Sequence, residues 1–91
     1  MRRLRCTRRH VPLDMIDEYM LAWLGMKREI EGRGGRAWLF RSAEHDDQFH
    51  EFVEWSGEMT SPMEDESIAD GLLQLDTFGQ GAAGDEWEEV A

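Results

Sequence analysis

The sequence contains very little of several residue types that mark particular classes of protein. It has one cysteine in 91 residues, so it can form no internal disulfide and contains no cysteine-based metal motif. Asparagine is absent, and neither lysine nor arginine occurs after residue 41. No apolar run approaches the roughly 20 residues that a membrane-spanning helix needs. The basic N-terminus, MRRLRCTRRH, lacks the apolar core of a secretory signal, so we expect a cytoplasmic protein without a membrane partner.

The residues that are present favour one small folded domain. Four tryptophans and four phenylalanines are too many for a disordered chain. A chain of 91 residues is the usual length of a single domain, so we expect one domain over 1–91. Such a domain buries only roughly 60–65% of the surface that its unfolded chain exposes. Contact with a second subunit would therefore add usefully to its stability.

Charge is divided unevenly along the chain. Residues 1–41 hold all ten Lys and Arg with five acids (+5), whereas residues 42–91 hold fifteen acids and no Lys or Arg (−15), which sums to −10. A basic N-terminal arm can bind nucleic acid. A net charge of −10 repels phosphates at long range, however, so we expect no nucleic-acid partner. The other interpretation is that the two halves neutralise each other within the fold.

The first half of the chain predicts a strand followed by a helix. In the strand 2–11, Leu4, Cys6, Arg8 and His10 share one face, and the residues between them share the other. Pro12 ends the strand. Apolar residues recur every three to four positions through the predicted helix 13–31: Leu13, Ile16, Met20, Trp23 and Ile30. A glycine-rich segment follows and ends the helix.

A hairpin comes next, with strands at 36–42 and 49–56 around a loop at 43–48. A strand pair with one face in water should alternate apolar and polar residues, and this pair does not. In the first strand Trp38 and Phe40 point one way and Ala37 and Leu39 the other. In the second, one face carries Phe49, Val53 and Trp55 and the opposite face carries Phe52. Both faces of the hairpin therefore need to be covered.

The last third predicts a second helix and a final strand. The segment SPME at 61–64 has the pattern of a capping box with proline at the first helical position, which places the helix at 62–78. Glycines 79, 81 and 84 suggest a loose connection to a short strand at 85–90, DEWEEV. We leave open whether that strand stays in its own subunit or swaps between subunits.

The order β-α-β-β-α-β is that of the ferredoxin-like α+β fold. Its antiparallel sheet has the strand order 4-1-3-2 with both helices on one face. The arginine-rich first strand then lies between two acidic strands, where facing opposite charges stabilise the sheet. The other face of the sheet stays open, and an open face with Trp and Phe requires a cover. The simplest cover is the same face of a second copy, so we expect a homodimer.

The same features resemble a known superfamily. The element order, the turn GRGGRAWLF and the strand end EFVEWSG are similar to the dimeric α+β barrel proteins, which include antibiotic-biosynthesis monooxygenase-like domains. The resemblance implies two sheets stacked face to face and, in many members, a small-molecule site near the sheet. It also implies oxygen-dependent chemistry that often needs neither metal nor flavin. Haem-degrading members use Asn, Trp and a His on the second helix; this chain has no Asn and no His there, so we expect no cofactor.

Few residues qualify as site candidates. His10, at a strand end, is the one candidate for a catalytic base. A planar hydrophobic ligand could be bound by five aromatic residues, Tyr19, Trp23, Trp38, Phe40 and Trp55, with Arg8 and Arg41 holding an anion. Aromatic residues at such spacing are more often plain core, and strand ion pairs explain Arg8 and Arg41 equally well. The alternative for His10 is a partly exposed imidazole paired with an acid. Cys6 could be a nucleophile beside arginines, but a buried small residue is its commoner role.

One cluster has the composition of a metal site: His45, Asp46, Asp47, His50 and Glu51. Its spacing matches no metal motif, and an acidic hairpin tip explains it, so we predict no metal.

Two functions from different classes remain. The first is a non-catalytic dimeric module, structural or ligand-binding. The second is a cofactor-independent monooxygenase-like enzyme acting on a small aromatic or polyketide-like compound. A buried cavity beside His10 or Trp55 would favour the enzyme. A third possibility is that the acidic C-terminal half docks onto a basic protein.

Overall fold

The architecture is a four-stranded antiparallel sheet with two helices on one face. It is seen in a computed structural model that describes residues 1–79 and 81–91, with 82, 83 and 85 described by backbone alone. The elements are β1 (Arg2–His10), α1 (Ile16–Gly32), β2 (Arg36–Arg41), β3 (Gln48–Ser56), α2 (Glu66–Asp76) and β4 (Gly81–Glu88). The sheet order is β2-β3-β1-β4. The predicted ferredoxin-like fold is confirmed, and no described helix is long and apolar enough to span a bilayer.

The core lies between the helices and one face of the sheet. Strand register places Val53 beside Ala37 on β2 and beside Arg5 on β1, all on the helix side. The buried apolar residues come from every layer: Val11, Tyr19, Trp23, Met26, Ile30, Ala37, Phe49, Val53, Trp55, Ile68 and Leu75. Alternate residues of β3 are buried as their spacing predicts. Of the stripe predicted for the first helix, Trp23 and Ile30 are buried, whereas Leu13 and Met20 are exposed and Tyr19 and Met26 are buried instead.

The uneven charge distribution has the predicted structural cause. Strand β1 lies between β3 and β4 and pairs antiparallel with both. A guanidinium nitrogen of Arg3 lies 2.9 Å from a carboxylate oxygen of Glu88, and Arg2 contacts both Glu54 (3.2 Å) and Glu89 (2.6 Å). These pairs are largely solvent-exposed, so each contributes little to stability. They still explain why a basic strand belongs in an acidic protein.

The predicted helix 13–31 begins later than expected. Residues Leu13–Met15 form a 3-10 turn, closed by a hydrogen bond from the Met15 amide to the Pro12 carbonyl oxygen (2.9 Å), and α1 starts at Ile16. The C-terminal end is as predicted: Gly34 has φ +85° and its amide donates to the Glu31 carbonyl oxygen. Glycine occupies this left-handed position because a Cβ would be strained there.

The predicted second helix, 62–78, is wrong at both ends. Ser61 does cap, but it caps only the short 3-10 turn Pro62–Glu64, accepting from the Met63 amide at 3.2 Å. Asp65 then has extended backbone (ψ 131°) and is the true N-cap of α2, its carboxylate accepting from the amides of Ser67 and Ile68. The capping-box pattern at 61–64 therefore belongs to the 3-10 turn, and the residue that caps α2 lies four positions later. The helix ends at Asp76, two residues before the predicted end.

We predict that this cap gives the protein an acid-sensitive stability contribution. Hydrogen bonds from the Ser67 hydroxyl and from Arg33 lower the pKa of Asp65 below its usual 3.8. A lowered folded-state pKa means that the contribution is complete above the unfolded pKa and is lost as pH falls through the folded value. In thermal unfolding at pH 7, Asp65→Ala should lower Tm by a few degrees, and Asp65→Asn by less, because asparagine caps comparably.

The Tm difference between Asp65→Asn and the wild type should shrink as pH falls below about 4, where the wild-type carboxylate becomes protonated. An unchanged Tm for Asp65→Ala at pH 7 would contradict this assignment of the cap.

The last strand also differs from its prediction. It was expected at 85–90, and β4 runs from Gly81 to Glu88, pairing with β1 of the same chain. The glycines of the segment GAAG predict a connection, since Gly is depleted in strands. The segment pairs nonetheless, with a register shift between Arg5 and Thr7. A Cβ on Gly84 would lie 2.8 Å from the Cys6 carbonyl oxygen, so this close approach requires glycine.

Candidate functional site: the open face of the sheet

The sheet face opposite the helices is built of rows of side chains that run across the strands. Residues paired in register project to the same side. Each row on this open face starts on β2 and continues through β3 to β1, and the first row also reaches β4. The rows are Arg36–Glu54–Leu4–Trp87, Trp38–Phe52–Cys6 and Phe40–His50–Arg8. The predicted split of the hairpin residues between two faces is therefore confirmed.

Large apolar side chains on the open face are in contact with water. Phe40 is 59% exposed and Trp87 is 60% exposed, while Leu4, Trp38 and Phe52 are half-buried. An apolar patch of this kind on a small soluble protein marks an interaction or ligand site. The sheet thus presents a surface that its own helices cannot cover.

One end of the open face contains a groove. Its first part, about 480 Å³, is lined by Phe40, Arg41, Ser42, Gln48, His50 and Phe52. Its second part, about 420 Å³, shares Gln48 and His50 with the first. It extends around the ends of β1 and β3, because residues of both faces line it: Arg8 and His10 of the open face, Arg9 and Phe49 of the helix side, and Gly81. The rings of Phe40 and Phe52 meet edge to face, with centroids 5.6 Å apart and planes at 84°. The groove therefore combines an aromatic wall with basic side chains.

The thiol of Cys6 lies at the centre of the open face, close to the groove. Its sulfur is 4.0 Å from Nδ1 of His50. Burial raises the pKa of the Cys6 thiol, and the nearby charge of Arg8 opposes this effect only in part. A thiol with a raised pKa is mostly protonated at neutral pH and is a poor nucleophile. This geometry favours the packing role for Cys6 over a catalytic one.

His10 stands at the mouth of the groove, on the open face at the end of β1. Its Nε2 lies 2.5 Å from a carboxylate oxygen of Asp47, and its side chain is 64% exposed. This hydrogen bond lowers the pKa of Asp47. A carboxylate that orients an imidazole is the arrangement of a general base. The predicted catalytic candidate is thus held in place beside the groove.

The five aromatic residues predicted to line one ligand pocket lie on both sides of the sheet. Tyr19, Trp23 and Trp55 are in the core beneath the helices, each no more than 3% exposed. Trp38 and Phe40 are on the open face. The sheet separates the two groups, so the five cannot line a single pocket. Of this set, only Phe40 lines the groove; Arg8 and Arg41, the predicted anion-holding residues, line it too.

A buried polar cluster on the helix side was missed by sequence reasoning. Arg9 Nε donates to a Glu51 carboxylate oxygen at 2.7 Å, and the Tyr19 hydroxyl donates to the same oxygen at 2.5 Å. Arg9 also donates to Asp76 and to the Gly79 carbonyl oxygen, both at 2.7 Å. Burial, followed by the charge of Glu51, raises the pKa of Tyr19.

The alternation of side chains in β3 places Glu51 between Phe49 and Val53 on the core face. A charged residue at a core position was the feature of the sequence that could have predicted this cluster. The cluster joins β1, β3, α1 and the end of α2 through satisfied hydrogen bonds, so it is a structural element of the core.

The residues with metal-site composition are dispersed. His50 projects from the open face, whereas Glu51 is buried on the helix side. Asp47 is engaged by His10. In the part of the chain that the structure describes, no three His, Cys, Asp or Glu side chains are positioned to hold a metal ion together.

Comparison with known proteins gives structural neighbours only. No family model and no curated protein sequence matches the chain. SnoaB, a cofactor-independent oxygenase from Streptomyces nogalater, superimposes with a TM-score of 0.81 at 12% identity, over 99% of this chain and 94% of that chain. A conserved protein from Methanosarcina mazei Go1 gives 0.83 at 10% identity, over 99% and 94% of the two chains.

A third solved structure, an antibiotic biosynthesis monooxygenase, covers 100% of both chains with a TM-score of 0.78 and 11% identity. Identities this low show the fold and leave the chemistry open. The chain has the ferredoxin-like α+β fold of the antibiotic biosynthesis monooxygenase-like proteins, as the resemblance of its sequence implied.

Proposed function

We propose that the chain forms a homodimer through its open sheet face and serves as a non-catalytic module that binds a small organic ligand in the groove. The observation that carries this proposal is the exposure of Phe40 and Trp87 on a sheet face that the helices leave bare. A domain of this size gains from covering such a face, since its own core is small.

A second copy of the chain is the occupant that fits this face best. The face is four strands wide, and an identical sheet related by a two-fold axis would match its width. It carries both signs of charge: Arg36 and Arg8 are positive, and Glu54 is negative. In an isologous contact the same surface of both subunits forms the interface. A face that combines apolar residues with charges of both signs can therefore be complementary to itself.

Ligand binding is supported by the size and chemistry of the groove. Its two parts, about 480 Å³ and 420 Å³, fall within the range of small-molecule sites, roughly 300–1,000 Å³. Apolar walls with a few polar groups are typical of such sites. A second sheet laid over the groove would close it to water.

Catalysis is the second candidate, as a cofactor-independent monooxygenase-like reaction on a small aromatic or polyketide-like compound. It is favoured by the fold shared with SnoaB and by the His10–Asp47 pair beside the groove. In this role His10 would remove a proton from an acidic hydroxyl of the substrate. We rank it second because the space beside His10 is a groove open on the sheet surface, and the Cys6 thiol is poorly suited to act as a nucleophile.

Native mass spectrometry and light scattering test the dimer. We expect a species of twice 10.6 kDa at micromolar concentration, and any mass above that value would report a retained ligand. A monomer of 10.6 kDa across the concentration range would overturn the homodimer. Oxygen consumption with a panel of phenolic aromatics distinguishes the enzyme from the binding module, with His10→Gln as the matched variant.

A further inference from the structure

We propose that the groove selects a planar aromatic anion, with Phe40 and Phe52 contacting the ring and Arg8 pairing with the negative group. This inference rests on the proposed ligand-binding role of the open face and names its ligand class. It comes from three features of the groove: an aromatic wall, a cation that lacks a described carboxylate partner, and the distance between them.

The aromatic wall is preformed. Phe40 and Phe52 already hold an edge-to-face contact at 5.6 Å, and the His50 ring lies 6.0 Å from Phe52. Phe40 leaves more than half of its surface free to contact a ligand ring (59% exposed). Aromatic side chains bind planar rings through offset and edge contacts, so this wall favours a flat, unsaturated ligand over an aliphatic one.

The cation is Arg8, the last member of the row Phe40–His50–Arg8. The other arginines of β1 that make ion pairs do so with Glu51, Glu54, Glu86, Glu88, Glu89 and Asp76. Arg8 itself takes part in none of the ion pairs among the side chains that the structure describes, although the protein is acidic. Arg41 lines the opposite end of the groove and adds positive charge. Planar guanidinium groups bind carboxylates through two parallel hydrogen bonds.

The spacing of the row selects the shape of the ligand. Phe40 and Arg8 lie two strands apart, about 10 Å, because neighbouring strands are separated by about 4.8 Å. That distance suits a bicyclic ring with one carboxylate at its end. His50 lies between the two and faces the middle of such a ring.

The test uses 2-naphthoate and its neutral analogue 2-naphthamide as probes, with the full-length protein and isothermal titration calorimetry. We expect 2-naphthoate to bind wild-type protein at least about tenfold more tightly than 2-naphthamide, since a charge-assisted hydrogen bond is worth about that ratio. Arg8→Gln should weaken naphthoate binding about tenfold and leave naphthamide binding unchanged. Arg28→Gln, at an exposed arginine of α1, is the matched control and should change neither.

Phe40→Ala should weaken both probes, because it removes the ring contact that they share. Equal affinity for the two probes, or an effect of Arg28→Gln as large as that of Arg8→Gln, would overturn the anion-selective groove. The mass of the complex is measured in the same samples, so a failure of the proposed dimer can be distinguished from a failure of the proposed ligand selectivity. Naphthoate-selective binding by a monomer supports the groove and overturns the dimer, whereas a dimer without selectivity overturns the groove alone.

Discussion

Replacing Glu51 by alanine should lower the free energy of unfolding by about 3–5 kcal/mol, the usual cost of removing one partner from a buried ion pair. The side chains of Arg9 and Glu51 are each only 2% exposed. Without Glu51, the Arg9 guanidinium loses its buried partner and the Tyr19 hydroxyl loses its acceptor. Since small domains are stable by roughly 5–15 kcal/mol, the variant should lose a large share of its stability.

Urea unfolding followed by tryptophan fluorescence measures this change. Tyr19→Phe provides a graded comparison, because it removes one hydrogen bond to the carboxylate and leaves the ion pair in place; its expected cost is about 1.5–3 kcal/mol. If Glu51→Ala does not express in folded form, Tyr19→Phe still tests the cluster. A loss below about 1 kcal/mol in both variants would show that the cluster is less buried than described.

The double variant Arg9→Met with Glu51→Leu separates the penalty of an unpaired charge from the value of the pair itself. Replacing both charges by apolar groups of similar volume is often neutral or stabilising. We therefore expect the double variant to recover only part of the stability that Glu51→Ala loses, because the buried Tyr19 hydroxyl still lacks its acceptor. Asp76 lies at the edge of the cluster with 55% of its side chain exposed, so its loss of the Arg9 contact should add little.

Replacing Phe40 by glutamate should weaken the proposed homodimer at least a hundredfold. A two-fold dimer would bury the new carboxylate twice, once in each subunit, and an unpaired buried charge costs several kcal/mol. Every 1.4 kcal/mol is a tenfold change in the dissociation constant. In the monomer the same change is mild, because Phe40 is 59% exposed. Sedimentation velocity over a range of concentrations measures the shift.

Leu21→Glu is the matched control for this experiment. Leu21 is 72% exposed on α1, on the layer opposite the open sheet face, so its variant introduces the same charge without touching the proposed interface. Circular dichroism should show both variants folded. If Phe40→Glu remains a dimer as stable as the wild type, or if Leu21→Glu dissociates equally, the open face is not the interface.

Local patterns were sufficient to predict much of the fold. The alternation in β2 and β3 assigned Trp38 and Phe52 to one face and Ala37 and Val53 to the other, because side chains in a strand alternate by geometry alone. The three-to-four-residue spacing marked Trp23 and Ile30 on the buried side of α1, but it also marked Met20, which is exposed, in place of the buried Tyr19. One prediction failed where the choice was not local: the GAAG segment joined β4 because a neighbouring strand was available for pairing.

The amino-acid sequence by itself determined the element order, the two apolar faces of the hairpin and the opposing charges of β1 and its neighbours. Those properties follow from backbone periodicity and from charge, which act between residues close in sequence or paired in register. Only the tertiary structure decided that Glu51 meets Arg9 and Tyr19 inside the core, and that the predicted aromatic set is divided by the sheet. Contacts of this kind join residues 32 to 42 positions apart, and their partners are selected by packing in three dimensions.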